Sequence, residues 1–347
     1  MSCRQGGFTL VEMMVAMLLG IMILLAVSEV FVNNNRTRVE IENTTRQIEN
    51  GRYAMQLLEG ELVNAGFFGE WSGAIPPATG NPAVSACLSS VDDVQRSVNV
   101  PVFGGNTLAA GSTDCMNGFK AGNDYLAIRR SSTCAAGDAG CDGFDSGRYY
   151  LQVSACDDED SDPGEVLLRV ASAETEMDLT RRDCSTRAPI YRFFSRLYYV
   201  RDDNVLMRAE LGAGAYASTP LVDGIERLHF AYGLDNVGAD GQVDEFVDEP
   251  TAAQWADVVT VRVWLLARNT ERTLGYTDDR TYVLGGDAEE YTPNDGFKRQ
   301  LYTSTVRLNN VAGRRESPVV AGAAVGGEEP PAEEPPAETP SDPAISG

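Results

Sequence analysis

The sequence predicts an α+β fold. A long amino-terminal helix, half membrane-spanning and half amphipathic, packs against a mostly antiparallel, β-rich head, and a disordered tail closes the chain. Three observations carry this. An unbroken apolar run of fifteen residues spans Met13–Val27. A proline-free stretch continues it with helical periodicity as far as Ala65. Beyond Gly66, short β-branched and aromatic segments alternate with Gly, Asp, Asn and Pro clusters. One helical layer on one sheet layer is the simplest way to bury both apolar faces.

The first element is the apolar segment. Allowing Thr9, Glu12, Ser28 and Glu29 as interruptions, it runs from Phe8 to Val32, 25 residues. At about 1.5 Å per residue that is roughly 37 Å, enough to cross a hydrocarbon core of about 30 Å. An ordinary secretory signal would carry a small-x-small cleavage site after the apolar run. Here Glu29-Val30-Phe31-Val32-Asn33 follows instead, and the small residues Gly6 and Gly7 precede the run. Glu12 is the second anomaly. A carboxylate in an apolar segment costs about 2.5–3.5 kcal/mol at the bilayer centre, so it calls for a partner. A cut between Gly7 and Phe8 would supply one, an α-amino group on Phe8 or on the Phe8 of a neighbouring copy.

The helix is expected to continue into water. Pro76 is the first proline, and Ile41, Thr45, Ile48, Met55, Leu58 and Leu62 recur at helical steps to form one face. Gly66 is placed to cap the end. Gly51 and Gly60 interrupt any heptad pattern, which argues against a soluble coiled coil.

From residue 66 to 318 the chain is predicted to be a β-rich head. The strand candidates are Asp124–Arg129, Tyr149–Ala155, Glu165–Val170, Ile190–Arg201, His229–Leu234, Val258–Arg268 and Leu301–Leu308. Residues 319–347 are the tail. Within it, Glu328–Pro343 holds six acids and six prolines and no apolar residue larger than alanine, too little to fold on.

Composition removes several functions. Acids outnumber bases 51 to 28, a formal charge of −23, which repels a polyanion; no nucleic-acid partner is expected. His229 is the sole histidine, so multi-histidine metal sites and HExxH chemistry are excluded. No P-loop occurs, and Gly212-Ala213-Gly214-Ala215-Tyr216-Ala217 imitates a dinucleotide turn without a helical pattern behind it. His229 sits in a strand-like apolar run and reads as structural. No catalytic residue is assigned, and the chain is not expected to be an enzyme.

Seven cysteines are present. If Cys3 leaves with a leader, the remaining six, Cys87, Cys115, Cys134, Cys141, Cys156 and Cys184, all fall in the head. An oxidising compartment then allows three disulfides, with 15 connectivities open. Neighbours in sequence suggest Cys134–Cys141, Cys87–Cys115 and Cys156–Cys184.

At this point the residues resemble a family. Gly6-Gly7-Phe8-Thr9-Leu10-Val11-Glu12 before an apolar helix is similar to the class III leader of type IV pilins and type II secretion pseudopilins. Arg52–Leu58 and Asn64–Gly69, then Asp223–Asp235, Trp255–Val258, Arg262–Arg268 and Arg299–Asn310, follow an order similar to the PilW family of minor pilins, a likeness that covers the first 70 residues and roughly 190–312. Residues 70–190 carry no such likeness. The resemblance implies that prepilin peptidase removes residues 1–7 and methylates the Phe8 amine. It also implies that 8–65 is the pilin helix with its transmembrane segment at 8–32, and that the head lies in the periplasm until the subunit enters an extracellular pilus. It implies a priming or tip complex with other minor pilins and the major pilin, with a tip adhesin as a further partner, serving twitching motility and adhesion. Glu12 would set the axial register against a neighbour's Phe8. A J-like secretion pseudopilin, or a secreted adhesin or enzyme with an ordinary signal peptide, remain the alternatives.

One metal candidate stands apart. Asn236, Asp240 and Asp244 fall at calcium-loop positions, but Gly238 and Val247 do not fit that pattern. A Gly/Asp hairpin turn explains the same letters. No other cofactor is expected, and the acidic run Asp157–Asp162 reads as a solvated loop.

Overall fold

The computed structural model describes residues 7, 9–69, 71, 85–106, 115–154, 156, 167–212, 214–285 and 289–316. The leader through residue 6, Phe8, the acidic run at 157–162 and the tail from 319 lie outside the described residues.

Helix α1 runs unbroken from Leu10 to Val63, 54 residues, roughly 81 Å at 1.5 Å per residue. Thr9 is its N-cap, in extended backbone conformation. Asn64 is its C-cap. Gly66, expected as the cap, lies two residues further on at φ +73°, where its N–H donates to the Arg129 carbonyl at 2.9 Å and hands the chain to the sheet.

The first sheet holds β1 (Val102–Gly105), β2 (Tyr125–Ala135), β3 (Tyr150–Ser154), β4 (Leu167–Ala171), β5 (Ile190–Val200), β6 (Val205–Leu211) and β7 (Tyr216–Asp223). Its order is β1-β2-β5-β3-β4, with β6 on β5 and β7 on β6. The branch arises because β5 has two partners along one edge. Ile190–Arg192 pair with β3, and Arg196–Val200 pair with β6. The second sheet, β13-β10-β8-β9, is built from β8 (Ile225–Leu234), β9 (Glu245–Val247), β10 (Val258–Arg268) and β13 (Arg299–Arg307). A separate hairpin joins β11 (Tyr282–Leu284) to β12 (Glu289–Tyr291). Pairing in all three sheets is antiparallel. Two short α-helices, α2 (Val91–Ser97) and α3 (Asn309–Glu316), and two single 3-10 turns at Glu174–Glu176 and Gln254–Asp257 accompany the strands. The architecture is α+β, a long apolar-headed helix packed on antiparallel sheets.

One core joins helix and sheets. Ala54, Met55, Leu58 and Leu62 of α1 cluster with Leu126 and Ile128 of β2, Tyr198 of β5, Val261, Val263 and Leu265 of β10, and Val306 of β13. The face of α1 that enters this core differs from the expected one. It is Gln47, Gly51, Ala54, Met55, Leu58 and Leu62, while Ile41 is 61% exposed, Ile48 38% exposed, and Thr45 exposed. The physical reason is closeness of approach. Small or hydrogen-bonding residues let α1 lie against β10 and β13 at its lower end, and bulky Ile48 is turned outwards.

Candidate functional site

The amino-terminal end of α1 is built by a reciprocal cap. The Thr9 hydroxyl accepts from the Glu12 N–H at 3.3 Å, and Glu12 Oε2 accepts from the Thr9 N–H at 2.9 Å and the Thr9 hydroxyl at 2.9 Å. Such a capping box satisfies helix donors that have no partner further back. Both groups are exposed, and Glu12 Oε1 is engaged by no described residue. Gly7 lies just before this cap with nothing within 4 Å of where a Cβ would stand. Phe8 is outside the described residues. From Leu10 to Val32 the large apolar side chains are all exposed, and the most apolar window has none of its length buried. That is a helix long and apolar enough to cross a membrane, with no cover from its own chain.

The upper half is seated by a ladder of polar contacts. Glu40 accepts from the Thr273 hydroxyl at 3.1 Å and pairs with Lys298. Gln47 Nε2 donates to the Ala267 carbonyl at 3.0 Å, and Asn50 Nδ2 donates to the Asp223 carbonyl at 3.0 Å. Tyr302 lies across Gly51 and donates its hydroxyl to the Ile48 carbonyl at 3.3 Å. Glu59 accepts from Ser304. Glu61 meets Arg196 at 2.6 Å and Arg130 at 3.4 Å, and Asn310 Nδ2 donates to the Ala65 carbonyl at 3.1 Å. These contacts fix the helix in translation as well as rotation, which apolar packing alone does poorly.

Two ionic assemblies back this seat. In one, the Phe194 ring is flanked by the guanidinium groups of Arg130, Arg192 and Arg196 at 4.5–4.9 Å, with Glu61 and Glu210 closing the charge. In the other, Arg299 has no exposed side-chain surface and binds Glu226, Asp278 and Asp295. Burial opposes its charge, but hydrogen bonds to Asp295 and Glu226 outweigh that and raise its pKa. Asp278 lies below its ordinary value because, although burial works against the carboxylate, Arg280, Tyr282 and Arg299 donate to it. Arg129 is different. It is fully buried, donates to the carbonyls of Val100 and Ser85, and burial pulls it down to about 10.

The cysteines form three pairs: Cys87–Cys115, Cys134–Cys141 and Cys156–Cys184, with Cα separations of 5.8, 5.9 and 5.0 Å, all within disulfide range. The loop closed by Cys134 and Cys141 borders a cavity of about 300 Å³ shared with Tyr150, Arg192 and Phe194.

The loop holding Asn236, Asp240 and Asp244 connects β8 to β9. Asp244 Oδ2 accepts from the N–H groups of Asn236 and Val237, Asp240 Oδ1 from that of Gln242, and Asn236 Nδ2 donates to Glu245. These side chains close a hairpin turn by hydrogen bonds. Among the described residues, no group of three or more His, Cys, Asp or Glu side chains is placed to share a metal ion. His229 packs on Trp264, with Nδ1 2.8 Å from Asp124 Oδ2.

Sequence reasoning passed over the residues that seat the helix. In the sequence Gly51 reads only as a break in a heptad, and Gln47 and Asn50 carry no signal of their own. The arginine alternation Arg192-x-x-x-Arg196 on a strand was the available signal for the Phe194 cluster.

Comparison with known proteins agrees with this geometry at both ends of the fold. Residues 2–28 match the model of the prokaryotic N-terminal methylation motif, and residues 197–310 match that of type IV pilus-assembly protein W. The second match runs from the end of β5 through β13 into α3, so it contains the sheet on which α1 is seated. No curated protein and no solved structure matches the chain. The two family matches, one on the bare helix and one on its seat, support a type IV pilus minor pilin of the PilW family.

Proposed function

We propose that this pilin acts by assembly, in a priming or tip complex with other minor pilins that starts growth of the pilus. One observation carries the reading. A single rigid helix is bare over a membrane-spanning length and locked to a folded head over the rest. In the proposed sequence, prepilin peptidase cuts between Gly7 and Phe8 and methylates the new amine. The Leu10–Val32 part of α1 then holds the subunit in the inner membrane, with the head in the periplasm. On assembly, Glu12 Oε1 meets the Phe8 ammonium of a neighbouring subunit while Oε2 keeps the Thr9 cap. In a low-dielectric surround that attraction fixes the axial register of helices that would otherwise slide.

The test is a Glu12→Ala exchange in the native organism, scored by recovery of the subunit in sheared pili and by twitching. Because Glu12 touches nothing in the head, the variant is expected to be processed at Phe8 and folded, yet depleted from pili. Equal recovery of parent and variant, with a methylated Phe8 in both mass spectra, would defeat the register role. A mature chain beginning after Val32 would defeat the anchored pilin.

A further inference from the structure

Among the described residues, the first polar contact between α1 and the head, counted from the bare end of the helix, is at Glu40, which holds both Lys298 and Thr273. Thr273 opens a β-turn, its carbonyl accepting from the Tyr276 N–H at 3.3 Å. Leu274 and Gly275 occupy the two central positions. Gly275 has φ +75°, a conformation that glycine adopts without strain at this turn position. Leu274 is 89% exposed, the highest value for any large apolar side chain among the described residues, those of the bare helix included. A leucine at the tip of a tight turn, facing water, has no intrachain explanation.

Its height on the helix supplies one. Glu40 is eight residues beyond Val32, about 12 Å along the axis. The polar zone of a bilayer adds about 5–8 Å beyond the hydrocarbon on each side. Glu40 therefore stands about 4–7 Å beyond the headgroup layer of the membrane that α1 crosses, a gap that the turn and the Leu274 side chain have to span. Charge agrees. Over Asn33–Arg46, Glu271–Tyr276 and Lys298, five cations (Arg36, Arg38, Arg46, Arg272, Lys298) stand against three acids (Glu40, Glu42, Glu271), in a chain whose net charge is −23. Arg36, Arg38 and Arg272 make no ion pair among the described residues, whereas Glu40 and Glu42 are each held by a cation.

We infer that the Thr273–Tyr276 turn is a second membrane contact, with Leu274 inserted at the interface and the surrounding cations set against anionic lipid headgroups. This rests on α1 being the anchor. A membrane-seated head would hold the long helix upright before the subunit is drawn into a pilus.

The experiment uses the full mature chain in vesicles of phosphatidylcholine, alone or mixed with phosphatidylglycerol. A fluorophore is placed at Leu274→Cys or, as a reference, at Val237→Cys, whose loop lies at the other end of the head near α3. Quenching by lipid-borne nitroxides is expected at 274 and not at 237, and to be stronger with phosphatidylglycerol, since each basic residue beside an anionic surface is worth about fivefold in occupancy. Arg272→Glu should weaken it in the anionic vesicles and leave 237 unchanged. Equal quenching at both positions would overturn the contact, and is the outcome for a turn that docks a neighbouring pilin instead. Failure of the protein to float with vesicles would overturn the anchor itself and this inference with it.

Discussion

Gly51→Ala sets two opposing terms against each other. In an exposed helix interior, alanine is favoured over glycine by about 1 kcal/mol, because glycine loses more backbone freedom on folding. At position 51 the added Cβ would stand 2.2 Å from Cε2 and 2.7 Å from Cζ of Tyr302. That is far inside contact distance, so the ring must leave. Its departure breaks the bond to the Ile48 carbonyl and uncovers the edge of the core against which the ring packs. An extra methyl in a packed site costs about 1–3 kcal/mol. The net result is a loss of up to about 2 kcal/mol. Gly60 is the internal control, since nothing lies within 4 Å of its added Cβ; Gly60→Ala should gain about 0.5–1 kcal/mol. Urea unfolding of the detergent-solubilised chain, followed by fluorescence of the buried Trp255 and Trp264, reads both. In a Tyr302→Ala background the clash is gone and Gly51→Ala should recover its helix gain, a coupling of about 1–3 kcal/mol. The close-approach argument fails if the two glycine variants are equally stabilised, or if removing Tyr302 leaves the effect of Gly51→Ala unaltered.

Two further outcomes follow from the ionic groups. Arg299→Met strands Glu226 and Asp278 in the core and should cost about 3–5 kcal/mol, whereas Arg46→Ala, at an exposed pair, should shift the urea midpoint by less than about 0.5 kcal/mol; equal effects would mean the cluster is solvated. Asp93 caps α2, and although burial opposes its charge, bonds from Ser90, Ser89 and Arg96 hold it down at about 2. Its folded value is below the ordinary carboxylate range of about 3.9, so its contribution is complete above that range and is lost as pH falls towards 2. Asp93→Asn should flatten the fall of stability over that window, and parallel midpoints for parent and variant would remove the assignment.

Much of the fold was legible because its signals are periodic. The segments read as strands overlap β2, β3, β4, β5, β8, β10 and β13. The two bounds that miss by most share a cause. The expected start at His229 cut off Ile225–Leu228, and the expected end at Arg129 cut off Arg130–Ala135, because polar residues, Glu226 and Arg227 in one and Arg130 to Thr133 in the other, interrupt the apolar alternation. Strands β6 and β7 were not predicted. Met207-Arg208-Ala209-Glu210 carries helix-favouring letters, and Tyr216–Asp223 is largely exposed and contains Pro220, so in both cases pairing to β5 and β6 overrides local preference. Helices α2 and α3 are too short for periodicity to register.

The site divides along a different line. The residues proposed to meet something outside the chain are the legible ones. Glu12 in an apolar run and the leader glycines announce themselves by breaking local rules. Residues that seat the helix are the reverse case, since each is ordinary until its partner, some 170–250 positions away, is known: Asn50 with Asp223, Gln47 with Ala267, Gly51 with Tyr302. No window of sequence contains both halves of such a contact. The same logic separates Leu274 from Ile41. Both are exposed apolar residues, but Ile41 continues the surface of a helix that is bare below it, whereas Leu274 is placed at its tip by a glycine turn tied to Glu40. On the inference drawn above, a side chain the fold works to expose, just beyond the end of the membrane-spanning length, is one whose partner is the membrane.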